Sequence, residues 1–281
     1  MKRFVSRLLV VLFCVFSPAV QAHNGSHGSS PAVSNAASMN WNQGALNSEV
    51  FTQYTLDVLD ESLGLQHMIT VGGLWAINKN WQLALEMPFL LLDHDLSGFA
   101  SGPGDLVVGG RYAFGDNCNG PNWSAGSYWS LPTGSETTGL GRGTMTQMLQ
   151  FGVSVPIQKH ALGFSTSLNF SYDSVLEPML MNRLQWQFPK FAKDRLTFSV
   201  SLSSETYLDS AVFSDGSTKV FAEPSLRVEL GKKQRWSVTT QGRVSVVDTL
   251  GRKAGVVAGT VSDILLNDVL FGASTQVGFA F

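Results

Sequence analysis

From about residue 48 to its last residue the chain alternates apolar with small or polar positions. A period of two marks a strand whose two faces meet different surroundings. The last segment is the clearest. Phe271, Ala273, Thr275, Val277, Phe279 and Phe281 fall on one face, and Gly272, Ser274, Gln276, Gly278 and Ala280 on the other. Trp81, Leu83, Leu85 and Met87 alternate in the same way with Gln82, Ala84 and Glu86. Leu196, Phe198, Val200 and Leu202 alternate with Thr197, Ser199, Ser201 and Ser203. The pattern predicts about twelve strands, near 48–58, 66–77, 81–92, 105–114, 123–132, 146–157, 161–172, 180–188, 195–208, 218–230, 235–247 and 268–281.

Strand length and face chemistry decide where such strands lie. Soluble strands are typically about 5–6 residues, whereas tilted membrane-spanning strands need about 9–11. Most of these segments reach the longer figure. Their polar face is built from Gly, Ser, Thr, Gln, Asn and a few charges. A secreted two-sheet sandwich would instead bury an apolar inner face. An apolar face turned outward calls for lipid, and lipid requires a closed barrel, because an open sheet edge would leave backbone groups unpaired in hydrocarbon. The expected fold is therefore all-β: a single antiparallel transmembrane β-barrel of about twelve strands.

The connections alternate in length. Asn78–Asn80, Gly115–Asn122, Gln158–His160, Pro189–Asp194 and Gly231–Gln234 are short, while Asp93–Gly104, Thr133–Met145 and Asp248–Asn267 are long. Short periplasmic turns opposite long extracellular loops are the outer-membrane arrangement. Trp75, Trp81, Tyr112, Trp123, Trp186, Trp236 and Phe281 fall beside the short turns on outward positions; Trp129, Phe170 and Tyr172 fall near the other rim. Two such belts suit the two membrane interfaces.

Composition agrees once it is resolved by face. Charged residues are 14% of the 281, against about 25% in ordinary soluble domains. Past the N-terminus the longest apolar run, Met87–Leu92, is far short of the ~20 residues of a spanning helix. Residues 1–22 read as a secretory signal peptide: basic Lys2, Arg3 and Arg7, apolar Leu8–Phe16, and Val20-Gln21-Ala22 as a cleavage site. Residues 23–47 are expected to form a flexible periplasmic segment and 48–281 the barrel. Of the 19 Lys and Arg, three lie in the leader; the remaining 16 face 21 Asp and Glu, a net charge of −5. That excludes nucleic acid as a partner. Cys118 is then the single cysteine, so no intramolecular disulfide is expected.

Twelve strands spaced ~4.8 Å apart and tilted ~40° close at a backbone radius of roughly 12 Å. Side chains reduce that to a passage for a single small molecule. Parity assigns acidic Glu49, Asp57, Glu86, Asp105, Glu223 and Glu229 to the lumen, with basic Arg111, Arg183, Arg227, Arg235 and Arg243. These are expected to pair across neighbouring strands, or to form a mixed-charge ladder that steers a polar solute. Asp105 and Arg111, on one strand, are the pair of first interest. Asp93, His94, Asp95, Pro132, Thr133 and Gly134 are expected at the extracellular entrance.

Two stretches are more specific than alternation. Gly102-Pro103-Gly104-Asp105-Leu106 runs on through Gly109-Gly110-Arg111-Tyr112, and Leu131-Pro132-Thr133-Gly134 precedes Gly139-Leu140-Gly141-Arg142-Gly143. Read from the residues, Gly102-Pro103-Gly104 is a tight turn ending a long loop, Asp105 accepts N–H groups from that turn, and Pro132-Thr133-Gly134 ends a strand. Together the stretches resemble the outer-membrane barrel family associated with the meta-cleavage pathway of phenol degradation. The resemblance covers about 48–281 and implies passive uptake of a small, hydrophobic or aromatic molecule.

Two other function classes are weighed. An outer-membrane hydrolase would need a nucleophile beside a base. On a strand this reads His-x-Ser, which occurs only at His27-Gly28-Ser29, before the barrel. A structural or adhesive barrel would bind a partner through its loops. His94 between two Asp, or His23 with His27, does not complete a metal site. No enzyme activity, cofactor or metal is expected. The expected partners are outer-membrane lipid, a small solute, and the barrel assembly machinery, which would read Val277, Phe279 and Phe281 on the terminal strand.

Overall fold

The computed structural model describes residues 46, 48–59, 65–94, 98–114, 120–135, 140–141, 143–171, 178–208, 218–231, 235–248 and 269–281. The proposed leader, all of the 23–47 segment but residue 46, Asp95, Cys118, Tyr172 and most of the connection before the last strand lie outside these residues.

Among the described residues, thirteen strands form one antiparallel sheet: β1 Glu49–Leu59, β2 Leu65–Ala76, β3 Trp81–His94, β4 Gly98–Pro103, β5 Leu106–Phe114, β6 Asn122–Leu131, β7 Thr146–Ile157, β8 His160–Ser171, β9 Met179–Gln187, β10 Leu196–Tyr207, β11 Thr218–Leu230, β12 Trp236–Asp248 and β13 Val269–Ala280. Each long strand pairs with its chain neighbours, and β13 returns to pair with β1 from Glu49↔Ala280 to Leu59↔Val269. The sheet is thus a closed twelve-stranded barrel plus one additional strand, β4. The seam is reinforced at its short-turn end, where the Phe281 amide donates to the Ser48 carbonyl (3.1 Å) and the Ala76 amide to the Ser48 hydroxyl (3.0 Å).

The additional strand corrects the expectation of a long loop over Asp93–Gly104. Gly98–Pro103 pairs with the upper part of β3, and β5 with its lower part. Phe89 faces Pro103 and Glu86 faces Val107, so three steps along β3 oppose four along its partner. One extra residue between paired strands is a β-bulge. Gly102-Pro103-Gly104 is therefore not a loop-ending turn. It carries the fourth barrel strand through a bulge at Gly104 and Asp105. The bulge also reverses parity: Ala100 and Gly102 turn inward on β4, Val107, Gly109 and Arg111 on β5.

Alternation sets the two faces as expected. Leu85, Met87, Phe89, Leu149, Phe151, Phe164, Leu184, Leu202, Leu226, Val244 and Phe271 are exposed on the outside. Aromatics close the short-turn rim. Trp81 meets Tyr112 edge-on at 5.0 Å, Trp236 tilts on Phe279 at 4.8 Å, and Trp123 on Phe151 at 5.6 Å. The turns there follow from local chemistry. The Asn78 carboxamide oxygen accepts from the amides of Asn80 (2.8 Å) and Trp81 (2.9 Å), and Gly231 adopts φ +85°.

Candidate functional site: the barrel interior

The inner face is not uniformly polar, and here the sequence expectation needs a second correction. Phe51, Leu74, Ala84, Val107, Tyr128 and Met148 are buried on the inward positions of β1, β2, β3, β5, β6 and β7, and form one apolar cluster. Tyr128 lies flat over Gly109, where a Cβ would collide with its ring. The lumen thus has an apolar patch to which six of its twelve strands each contribute one residue. Glu86 stands within it, 1% exposed, and neither carboxylate oxygen has a hydrogen-bond partner among the described residues. Its row neighbours, Gly72 and Val107, have no side-chain donor to offer. Nearby, Arg111 donates to the side chain of Gln82 directly across the ladder (2.9 Å).

Across the lumen, the four strands β9 to β12 carry a charged cluster. Arg183 meets Glu223 at 2.6 Å, Arg243 meets Glu205 at 2.5 Å and Glu223 at 3.4 Å, and the Ser203 hydroxyl donates to Glu223 (2.8 Å). The Arg243 guanidinium lies 3.5 Å above the Phe221 ring. Lys219 sits opposite Glu205 on the neighbouring strand and is buried. Asp57 joins the same row as Arg243 across Gly272. Two of these ion pairs skip a strand, β9 to β11 and β10 to β12, while Arg243 and Glu223 join immediate neighbours. The cause is curvature: inside a narrow barrel, long side chains on next-nearest strands converge. Burial of a net charge would be costly, and this cluster balances its formal charges, Arg183, Lys219 and Arg243 against Asp57, Glu205 and Glu223. Lower down, Glu229 is held by Lys190 (3.1 Å) from the β9–β10 turn and by Arg227 (3.7 Å).

Glu49, Asp57, Glu86, Asp105, Arg111, Glu223, Glu229 and Arg243 are buried on the inner face; Arg183 and Arg227 are partly covered there. Arg235 precedes β12 and is exposed at the short-turn rim. Glu205 and Lys219 belong to the cluster but escaped the sequence reading. The signal was available, since both continue the odd parity of Thr197–Ser203 and of Glu223.

The long-loop mouth brings the two Gly-rich motifs together. Asp105 and Arg111 are six residues apart along β5, about 20 Å at the strand rise, and do not form a unit. Asp105 accepts the Gly134 amide from the end of the next strand (2.9 Å). The Thr133 hydroxyl donates to the Gly104 carbonyl (3.1 Å) and accepts from the Leu106 amide (2.8 Å). The Gly104 amide reaches the Pro88 carbonyl (2.9 Å). Leu140 and Gly141 both donate to the Ser135 carbonyl, and Leu140 is buried against Met68, Leu90, Leu92 and Ala100. Gly134 and Gly141 are in contact; a Cβ on Gly141 would lie 2.6 Å from the Asp105 carboxylate. Pro132 and Thr133 are exposed, as is Asp93 at the end of β3. The His94 side chain lies outside the described residues. Val277 and Phe281 are exposed at the outer surface of the terminal strand.

Among the described residues, no group of three His, Cys, Asp or Glu is placed to hold a metal ion. No protein-family model matches the chain, and no curated relative is found by sequence. Solved structures do resemble it. An outer-membrane channel from Pseudomonas putida F1 superposes with a TM-score of 0.64 at 11% identity, covering 93% of this chain and 100% of that one. The NanC porin gives 0.53 at 9% identity, covering 83% and 98%. The KdgM porin, in complex with disordered oligogalacturonate, gives 0.50 at 9% identity, covering 83% and 99%. At these identities the likeness is one of architecture, and the chain has the fold of the outer-membrane β-barrel channels and porins.

Proposed function

We propose that the protein is a channel of the bacterial outer membrane that admits a small, hydrophobic or aromatic molecule by passive diffusion. The observation that carries this reading is the closed barrel with an apolar exterior and a lumen divided between an apolar and a charged wall. The exterior fits lipid, and short turns would then face the periplasm. The interior offers an amphipathic solute two surfaces at once. Phe51, Val107, Tyr128 and Met148 would cover its apolar part. The balanced cluster around Arg243 and Glu223 gives no net preference for an anion. The resemblance of the two Gly-rich motifs to the phenol-pathway family supports the same solute class.

Ion current through the reconstituted protein is the test. Benzyl alcohol should reduce the current saturably, and a sugar of similar size should reduce it less. Equal effects of the two would remove the aromatic part of the reading. A membrane that contains inserted protein and never conducts would remove the channel.

A further inference from the structure

The two Gly-rich motifs and the inward-turned Leu140 are not explained by barrel closure. Strands β5 and β6 pair fully without the Asp105–Gly134 contact, from Leu106↔Leu131 to Phe114↔Trp123. Yet four separate contacts fix the chain after β6 to the bulge after β4. Asp105 holds the Gly134 amide, and Thr133 bridges Gly104 and Leu106 through its hydroxyl. Gly141 then seats against Gly134 and Asp105 at a distance that no larger residue permits. Asp105 is itself only 1% exposed, so the carboxylate at the centre of this anchor is buried, while Thr133 bridges at the surface. The consequence of all four contacts is the placement of one side chain. Leu140 lies inside the mouth, 4% exposed, on the inward residues Met68, Leu90 and Leu92 of β2 and β3. These are apolar positions near the long-loop ends of strands whose inner faces carry Gln66, Thr70, Gln82 and Glu86.

We propose that Leu140 is the constriction residue of the pore, pinned on the inner wall of the mouth by Asp105 and Gly134 so that it sets the size and hydration of what enters. This rests on the channel reading. An apolar constriction admits water and ions poorly, because nothing in it replaces their hydration. Truncating Leu140 removes the plug while leaving the β5–β6 ladder intact. Replacing Asp105 removes the pin while leaving Leu140 itself unchanged.

The test has two readouts on the full chain in a Cys118→Ser background. In planar bilayers, Leu140→Ala should raise single-channel conductance severalfold, and Asp105→Ala should produce larger, more variable openings. In vesicles, a cysteine placed by Met68→Cys, beneath the plug, is labelled with a charged, membrane-impermeant methanethiosulfonate. Labelling should be slow with Leu140 present and much faster with Leu140→Ala. Unchanged conductance together with unchanged labelling overturns the constriction and leaves the channel standing. Faster labelling in a barrel that never conducts keeps the constriction and overturns the channel. Slow labelling in both forms, with a conductance that rises, places the constriction elsewhere and overturns the assignment to Leu140. Circular dichroism and heat-modifiable gel mobility establish that each variant is folded before it is scored.

Discussion

Arg243→Met is the perturbation that most directly reads how the barrel interior is held. Arg243 binds Glu205 at 2.5 Å and Glu223 at 3.4 Å, with side-chain exposures of 7%, 6% and 1%. Its guanidinium also lies 3.5 Å above the Phe221 ring. Removing it takes the guanidinium from Glu205 and leaves Glu223 to Arg183 and Ser203, in a buried site with Asp57 in the same row. Breaking a buried pair from one side costs about 3–5 kcal/mol when the remaining charge loses its partner, as Glu205 does here. The ring contact adds about 0.5–2 kcal/mol, part of which is the same burial. A loss of about 3–5 kcal/mol is therefore expected. If water and salt entered this part of the lumen freely, the same pair would behave as a surface ion pair worth about 0–1 kcal/mol. Urea unfolding of the barrel in lipid vesicles, followed by tryptophan fluorescence, measures the difference, provided the m-value is unchanged. Arg243→Met combined with Glu205→Gln should be less destabilised than the sum of the single variants, with a coupling of about 1–3 kcal/mol. A single-variant loss below about 1 kcal/mol, with no coupling, would refute the closed charged wall.

Three further outcomes are expected. Glu86→Met removes two buried oxygens that lack hydrogen-bond partners and should stabilise the barrel by about 1–3 kcal/mol in the same unfolding assay; destabilisation would show that the carboxylate is satisfied in the folded protein. Gly109→Val drives a side chain into the Tyr128 ring and should cost about 1–3 kcal/mol, partly recovered when combined with Tyr128→Ala; independent effects would contradict the stacking. Leu202→Arg, midway along β10 on the outer face, should cost about 2–4 kcal/mol in a bilayer, and a neutral result would mean that this face does not meet lipid.

The strands were legible because each barrel strand carries its own period-two pattern, and Gly, Asn and Asp mark the turns. The fourth strand was only half legible. Gly98–Pro103 contains Phe99 as its single large apolar residue, and the bulge at Gly104–Asp105 reverses parity. A period-two reading that starts at Asp105 cannot extend backwards across that step. The site was legible by face but not by partner. Parity placed Arg183, Glu223 and Arg243 inward; pairing across a skipped strand follows from curvature, which one-dimensional periodicity does not contain. Likewise Phe51, Tyr128 and Met148 sit one to a strand among polar neighbours, and become a wall only when six strands are laid side by side. Leu140 belongs to no strand, so no period announced it. Its neighbours Gly139 to Gly143 did stand out, as a motif whose purpose appears only when Asp105 and Gly134 meet.

The central claim is that this barrel is a passage through a membrane, narrowed at its long-loop mouth. Recording the wild type and Leu140→Ala side by side in planar bilayers tests it most directly. The account predicts small, resolved conductance steps for the wild type and larger steps for the variant. Two correctly inserted proteins that both hold the membrane at baseline, with or without aromatic solute, would contradict it.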